Sequence, residues 1–221
     1  MQFVRSGRAA FGATDGPWAS SENKARQRGD WSDAMRELSL HILDALENSL
    51  EAGATFIELT IEENSPTDLL AITITDNGRG MSEEQLARAA DPFYTTRQTR
   101  HVGLGIPLFK AAAERCGGSL TLCSQLGKGT TLRATFRHSH IDRVPLGDIE
   151  GTLLAVICSD SPCDLQYTHR VNDHTFAFST VDMRLALEGL PLGNPMVRKW
   201  IQEFIIEGEE ELGDLQPAPL L

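Results

Sequence analysis

Apolar positions in the first patterned stretch of the chain, Leu38, Ile42, Ala45, Leu46 and Ser49 or Leu50, recur at helical spacing. They predict a helix over 36–52, which Gly53 stops in the usual place for a C-terminal cap. Two β-branched runs at 56–61 and 69–75 read as strands joined by a polar turn at 64–68. Ser82, with Glu84 and Gln85 behind it, opens a short helix through Ala89. A further helix covers 106–115, with Pro107 tolerated in its first turn. Gly117-Gly118 ends it, and strands at 119–124 and 130–137 flank the turn Leu126-Gly127-Lys128-Gly129.

Beyond His138 the texture changes. The run 149–157 fits a helix or a strand, 165–169 and 175–179 fit a hairpin across Asn172-Asp173, and two amphipathic helices follow. Grouped strand pairs with helices between them predict an α+β fold. It is a two-layer sandwich with a mixed, mainly antiparallel sheet and helices on one face. The expected organisation is a disordered extension at 1–34, rich in Gly, Ser, Ala, Arg and Asp without periodicity. A main domain follows at 35–140, then a small α+β appendage at 141–208 and a flexible tail at 209–221.

Composition narrows the class. At 41% hydrophobic and 23% charged, the 221 residues have an ordinary soluble make-up. No apolar run approaches the roughly 20 residues that span a bilayer. A net charge of −11 argues against a generic nucleic-acid binder but leaves room for a local basic pocket. The chain opens without an apolar signal core, and its four cysteines form no C-x-x-C pair, so reduced thiols in a cytoplasmic protein are expected.

The chemistry concentrates in four places. His41, Asp44 and Asn48 share one face of the first helix, which is either solvated or lines a site. An Asn oxygen suits Mg²⁺, and a carboxylate one turn away suits orienting or deprotonating a nucleophile. Asp76-Asn77-Gly78-Arg79-Gly80 closes the second strand: it is a plain turn, or an acceptor for the adenine amine with glycines that let backbone approach the ring. Gly103-Leu104-Gly105 precedes a helix and suits a phosphate cradle, though it is neither a Walker loop nor a dinucleotide fingerprint. Thr95, Thr96, Arg97, Arg100 and His101 form a polar segment that is a lid over phosphates or a surface loop.

Taken in order, these elements resemble the GHKL (Bergerat-fold) ATP-binding domains of gyrase, heat-shock chaperones, histidine kinases and mismatch-repair ATPases. Asp44-Ala45-Leu46-Glu47-Asn48-Ser49 resembles the N box, and Asp76 to Gly80 the first glycine box. Asp91-Pro92-Phe93-Tyr94-Thr95-Thr96 resembles the phenylalanine box, Gly103-Leu104-Gly105-Ile106 the second glycine box, and Gly127-Lys128-Gly129-Thr130 the last. The resemblance covers about residues 36–137. It implies ATP and Mg²⁺ as cofactors, with Asn48 on the metal, Asp76 on adenine supported by Thr130, and a lid at 93–105. Gly78, Gly80, Met81, Phe93, Thr95, Thr96, Gly103, Leu104 and Gly105 complete the implied nucleotide site, and Asp44 takes the catalytic position.

The Asp91–Arg97 run is most similar to the histidine-kinase and anti-sigma-factor kinase branches, whereas the segment from Glu47 to Ala54 looks like the mismatch-repair branch. Hydrolysing members often carry a glutamate where this chain has Asp44, a methylene shorter. Glu47 is rotated about 100° around the helix from Asn48 and is the poorer base. Residues 1–34 supply no helix with a phospho-acceptor histidine, so the expectation is a stand-alone bacterial ATP-binding protein. That type is associated with hydrogenase or NADH-dehydrogenase components. The expected activity is Mg-dependent, kinase-like phosphotransfer to, or regulation of, a protein partner, either a redox-enzyme or a signalling component. Two other readings are an ATP-driven dimerising clamp and a nucleotide sensor without turnover.

Overall fold

The computed structural model describes residues 37–89, 105–159 and 163–213. The expected extension at 1–34 lies outside them. Six strands form one sheet: β1 (Phe56–Asn64), β2 (Leu69–Asp76), β3 (Ser119–Gln125), β4 (Gly129–Arg137), β5 (Asp164–Val171) and β6 (His174–Ser179). Their order is β3-β4-β2-β1-β5-β6. All neighbours are antiparallel except β1 and β5, which are parallel. The expected mixed, mainly antiparallel sandwich is therefore the architecture observed.

Strand alternation determines which face is covered, because successive side chains point to opposite sides. Ile57, Leu59 and Ile61 of β1, Leu70, Ile72 and Ile74 of β2, Leu132, Ala134 and Phe136 of β4, and Leu165 and Tyr167 of β5 share one buried cluster. Into that cluster the helices insert Leu38, Ile42 and Leu46 of α1 (Leu38–Glu51) and Phe109 and Ala113 of α3 (Gly105–Arg115). Leu153 and Ile157 of α4 (Ile149–Ile157) and Val197, Ile201 and Ile205 of α6 (Pro195–Gly213) complete it. Short α2 (Glu83–Arg88) is held by a capping box between Ser82 and Gln85. α5 (Thr180–Ala186) begins at Ser179, whose hydroxyl accepts from the Val181 N–H. The opposite face is polar and open, with Thr60, Thr73, Thr131, Arg133 and Thr168 along it.

Two boundaries differ from expectation. The stretch read as an appendage contributes β5 and β6 to the same sheet, because β5 is a β-branched and aromatic strand that docks parallel to β1 over eight residue pairs. The stretch read as a flexible tail from 209 begins inside a helix that continues to Gly213, since Glu209 hydrogen-bonds Tyr167 and His169 and Leu212 is buried. Among the described residues no helix is long and apolar enough to cross a membrane.

Candidate functional site

Asp76 ends β2, 8% exposed, at the edge where α1, the first glycine box and the start of β4 converge. Its carboxylate is held from two sides. Ser49 of α1 donates its hydroxyl to Oδ2 at 2.9 Å, and Gly78 donates its N–H to Oδ1 at 2.8 Å. Ser49 follows Asn48 directly, so the helix turn that presents Asn48 also fixes the orientation of Asp76. The sequence pattern offered Ser49 as a filler of the apolar stripe and as the last residue of the N-box match, with no role of its own. Its adjacency to Asn48 was the signal for a polar role.

The glycines build the walls. Asn77 pins the loop to β1, its Oδ1 accepting from the N–H groups of Thr55 and Phe56 at 2.9 and 3.0 Å. Gly80 has φ +64°, and a Cβ there would overlap the Gln125 carbonyl oxygen. Gly129 has φ +99°, and its Cβ would overlap the carbonyl oxygen of Asp76. Both positions require glycine, for backbone conformation and for close approach. Gly78 packs against Ala52 at the end of α1. Thr130 stands opposite Asp76 in the β2–β4 register. Ser124 of β3 joins these parts. Its hydroxyl accepts from the Met81 N–H at 2.9 Å and lies 2.9 Å from both the Gly129 carbonyl and the Thr130 hydroxyl. No motif flagged Ser124, because its role depends on pairing with β4.

On α1, Asp44 is exposed and Asn48 half-buried, one turn apart. The first residue of α3, Gly105, sits against Asp44: a Cβ built there would lie 3.2 Å from Asp44 Oδ2. The N-terminal end of α3 thus approaches the carboxylate, a favourable polarity for an anion. His41 does not join this stripe. It is buried, stacked on Phe109 with ring centroids 5.1 Å apart, and burial pushes its pKa down to about 4. A neutral imidazole packed into the α1–α3 contact is a core residue.

A cavity of about 340 Å³ lies at this end of the sheet, lined by Asp76, Thr130 and Lys128 but also by Thr75, Cys123 and Thr131. The last three point to the open face, so this cavity extends round the sheet rather than tracing the α1 side, where Asp44 and Asn48 stand. Phe93, Thr95, Thr96, Gly103 and Leu104 lie outside the described residues.

Residues 34–140 match the family described as histidine kinase-, DNA gyrase B- and HSP90-like ATPase. The chain is 30% identical over 116 residues to the non-motile and phage-resistance protein of Caulobacter vibrioides, covering 50% of this chain and 14% of that protein. It is 31% identical over 99 residues to sporulation kinase B of Bacillus subtilis, covering 43% and 22%. To the sensor protein SrrB of Staphylococcus aureus it is 35% identical over 109 residues, covering 46% and 18%. The chain thus spans less than a quarter of the length of each relative. Among solved structures, full-length ShkA in complex with AMPPNP superimposes with a TM-score of 0.38 at 20% identity, over 44% of this chain and 20% of that one. The N-terminal domain of a DNA repair protein gives 0.44 at 15% identity, over 65% and 51%. Residues 34–140 are an ATP-binding domain of the histidine kinase-, gyrase- and HSP90-like ATPase family.

Proposed function

We propose that the ATPase domain at 34–140 binds Mg-ATP with adenine on Asp76 and passes the γ-phosphate, or the conformational change that follows nucleotide binding, to a protein partner. The observation that carries this reading is the Asp76 carboxylate fixed between the Ser49 hydroxyl and the Gly78 N–H, with Ser49 next in sequence to Asn48. The residues fit a nucleotide with its metal. Gly80 and Gly129 let the loop after β2 and the start of β4 pack backbone against backbone beside Asp76, which fixes the carboxylate's surroundings, and Asn48 with Asp44 offers the hard oxygen donors that Mg²⁺ prefers. A bound magnesium would neutralise phosphate charge. Asn48 would hold it, Asp44 would orient the attacking hydroxyl or water, and the α3 end at Gly105 would face the phosphates. The similarity to sporulation kinase B and a sensor protein favours phosphotransfer as the output.

Titration of the full chain with ATP is expected to show binding that tightens with Mg²⁺ and weakens in EDTA; magnesium-independent binding would remove Asn48 from the metal role. Asp44→Ala tests turnover. It is expected to lower hydrolysis or phosphotransfer by about 10²–10⁴-fold while ATP affinity changes only a few-fold. Equal turnover in Asp44→Ala and parent would rule out Asp44 as the base, and no turnover in the parent would leave a nucleotide sensor.

A further inference from the structure

Strand register places three polar side chains in one row across the sheet. Ser124 of β3 is the partner of Thr130 on β4, and Thr130 is the partner of Asp76 on β2. Directly opposed residues share a face, so all three point to the side where Ser49 of α1 reaches Asp76. They also line the same cavity. Asp76 takes its hydrogen bonds from Ser49 and Gly78, and among the described residues the Thr130 hydroxyl bonds Ser124 alone.

The count of donors and acceptors decides which way that last bond runs. A serine hydroxyl has one proton and two lone pairs. Ser124 has three polar neighbours at 2.9 Å: the Met81 N–H, the Gly129 carbonyl and the Thr130 hydroxyl. Met81 can only donate, and the carbonyl can only accept. The Ser124 proton therefore goes to Gly129, and its oxygen accepts from both Met81 and Thr130. This arrangement alone makes all three contacts at once, since turning the Ser124 proton to Thr130 forfeits the Gly129 bond. It also consumes the Thr130 proton, so the Thr130 oxygen meets the cavity with lone pairs only. Opposite it stands Asp76, whose carboxylate is likewise an acceptor.

We propose that Ser124 is a specificity-determining residue of the nucleotide site, acting through Thr130. By holding the Thr130 proton it leaves an edge of acceptors, Thr130 with Asp76. That edge fits the two N–H groups of a 6-amino purine and repels the oxygen of a 6-oxo purine. The role rests on Asp76 being the base contact, as proposed above, and adds the residue that sets the hydroxyl opposite it. Without the Ser124 hydroxyl, the Thr130 proton is free to turn into the cavity and become a donor that a 6-oxo oxygen can use. Ser124 is thus a positioning residue: it sets the direction of a neighbour's proton and need not touch the base.

The test is titration of the full chain with Mg-ATP and with Mg-ITP, which carries an oxo group where ATP has its amine. The parent should hold ATP about ten- to a hundred-fold tighter than ITP. Ser124→Ala should narrow that ratio by about three- to tenfold, the worth of one neutral hydrogen bond. Ser124→Thr keeps the hydroxyl and should restore the parent ratio. Ser124→Cys fills the same space with a weak donor and should narrow the ratio less, which keeps the test open should the alanine variant not fold. In a Thr130→Val background, Ser124→Ala should leave the ratio unchanged, because the route through Thr130 is gone. Equal weakening of ATP and ITP in the alanine and cysteine variants marks a merely structural serine and overturns the inference. Narrowing that persists without the Thr130 hydroxyl overturns it as well. If Asp76→Asn narrows the ratio and Ser124→Ala does not, Asp76 stays on the base and the Ser124 role alone falls. A parent with no preference between ATP and ITP overturns both.

Discussion

Asp76→Asn is expected to weaken ATP binding by about ten- to a hundred-fold, equivalent to about 1.5–3 kcal/mol for one charge-assisted hydrogen bond. The substitution is nearly isosteric, so the loop geometry should persist. Asn can still accept from either Gly78 or Ser49, now 2.8 and 2.9 Å from the two carboxylate oxygens. What it cannot do is present two acceptors. One edge becomes an NH₂ group facing the amine of adenine, and a donor meets a donor. The same change predicts a shift in base preference. A carboxylate repels the O6 acceptor that guanine places where adenine has its amine, and an amide does not. The ratio of GTP to ATP dissociation constants should therefore narrow in Asp76→Asn. Unchanged ATP affinity together with an unchanged ratio would remove Asp76 from the base-binding role. Ser49→Ala should give a smaller loss in the same direction, because it frees one carboxylate oxygen without removing the charge.

The local geometry of the candidate site was legible because its constraints are local. Asp76 and the glycines lie within five residues, and Asp44 and Asn48 within one helical turn, so identity and spacing suffice. The same holds for the β5–β6 hairpin, whose Asn172-Asp173 turn, with φ +53° at Asn172, lies where the turn chemistry placed it. Ser49 and Ser124 were not legible as polar organisers, since their partners come from other elements. Ser49 reaches a residue 27 positions away, and Ser124 acts through the β3–β4 register. His41 misled for a related reason. Helical spacing places it on the face of Asp44, but Phe109 of α3 covers it, and packing between helices is invisible to periodicity. The attachment of β5 to β1 is a parallel contact across more than 100 residues, and local pattern cannot report such a contact.

His169→Leu is expected to destabilise the fold by about 3–5 kcal/mol, the usual cost of removing one partner from a buried ion pair, and to lower the melting temperature by about 10 °C at this chain size. His169, on β5, is 4% exposed. Its Nδ1 lies 2.8 Å from Glu209 of α6 and its Nε2 3.3 Å from Glu63 of β1, while Tyr167 donates its hydroxyl to Glu209 at 2.8 Å. Glu63 also meets His138 at 2.7 Å. Burial disfavours a charged His169, but hydrogen bonds to Glu209 and Glu63, with their charges, outweigh it and hold the pKa up at about 9. Burial likewise pushes Glu63 upward, and its hydrogen bonds with His169 and His138 outweigh that, bringing it down to about 2. These shifts describe one shared set of contacts, so their stabilities do not add. Their signs set the pH window. The His169 contribution is complete below its unfolded value of 6.5 and is lost as pH rises through about 9. The Glu63 contribution is complete above 4.5 and is lost as pH falls through about 2. The melting gap between parent and His169→Leu should thus be widest between pH 4.5 and 6.5 and close progressively toward pH 9. A second change, Glu209→Gln, should restore part of the loss in the His169→Leu background, because the neutral amide oxygen still accepts from the Tyr167 hydroxyl while the uncompensated charge is gone. Identical melting of parent and His169→Leu across that range would refute an ionic tie between α6 and the sheet.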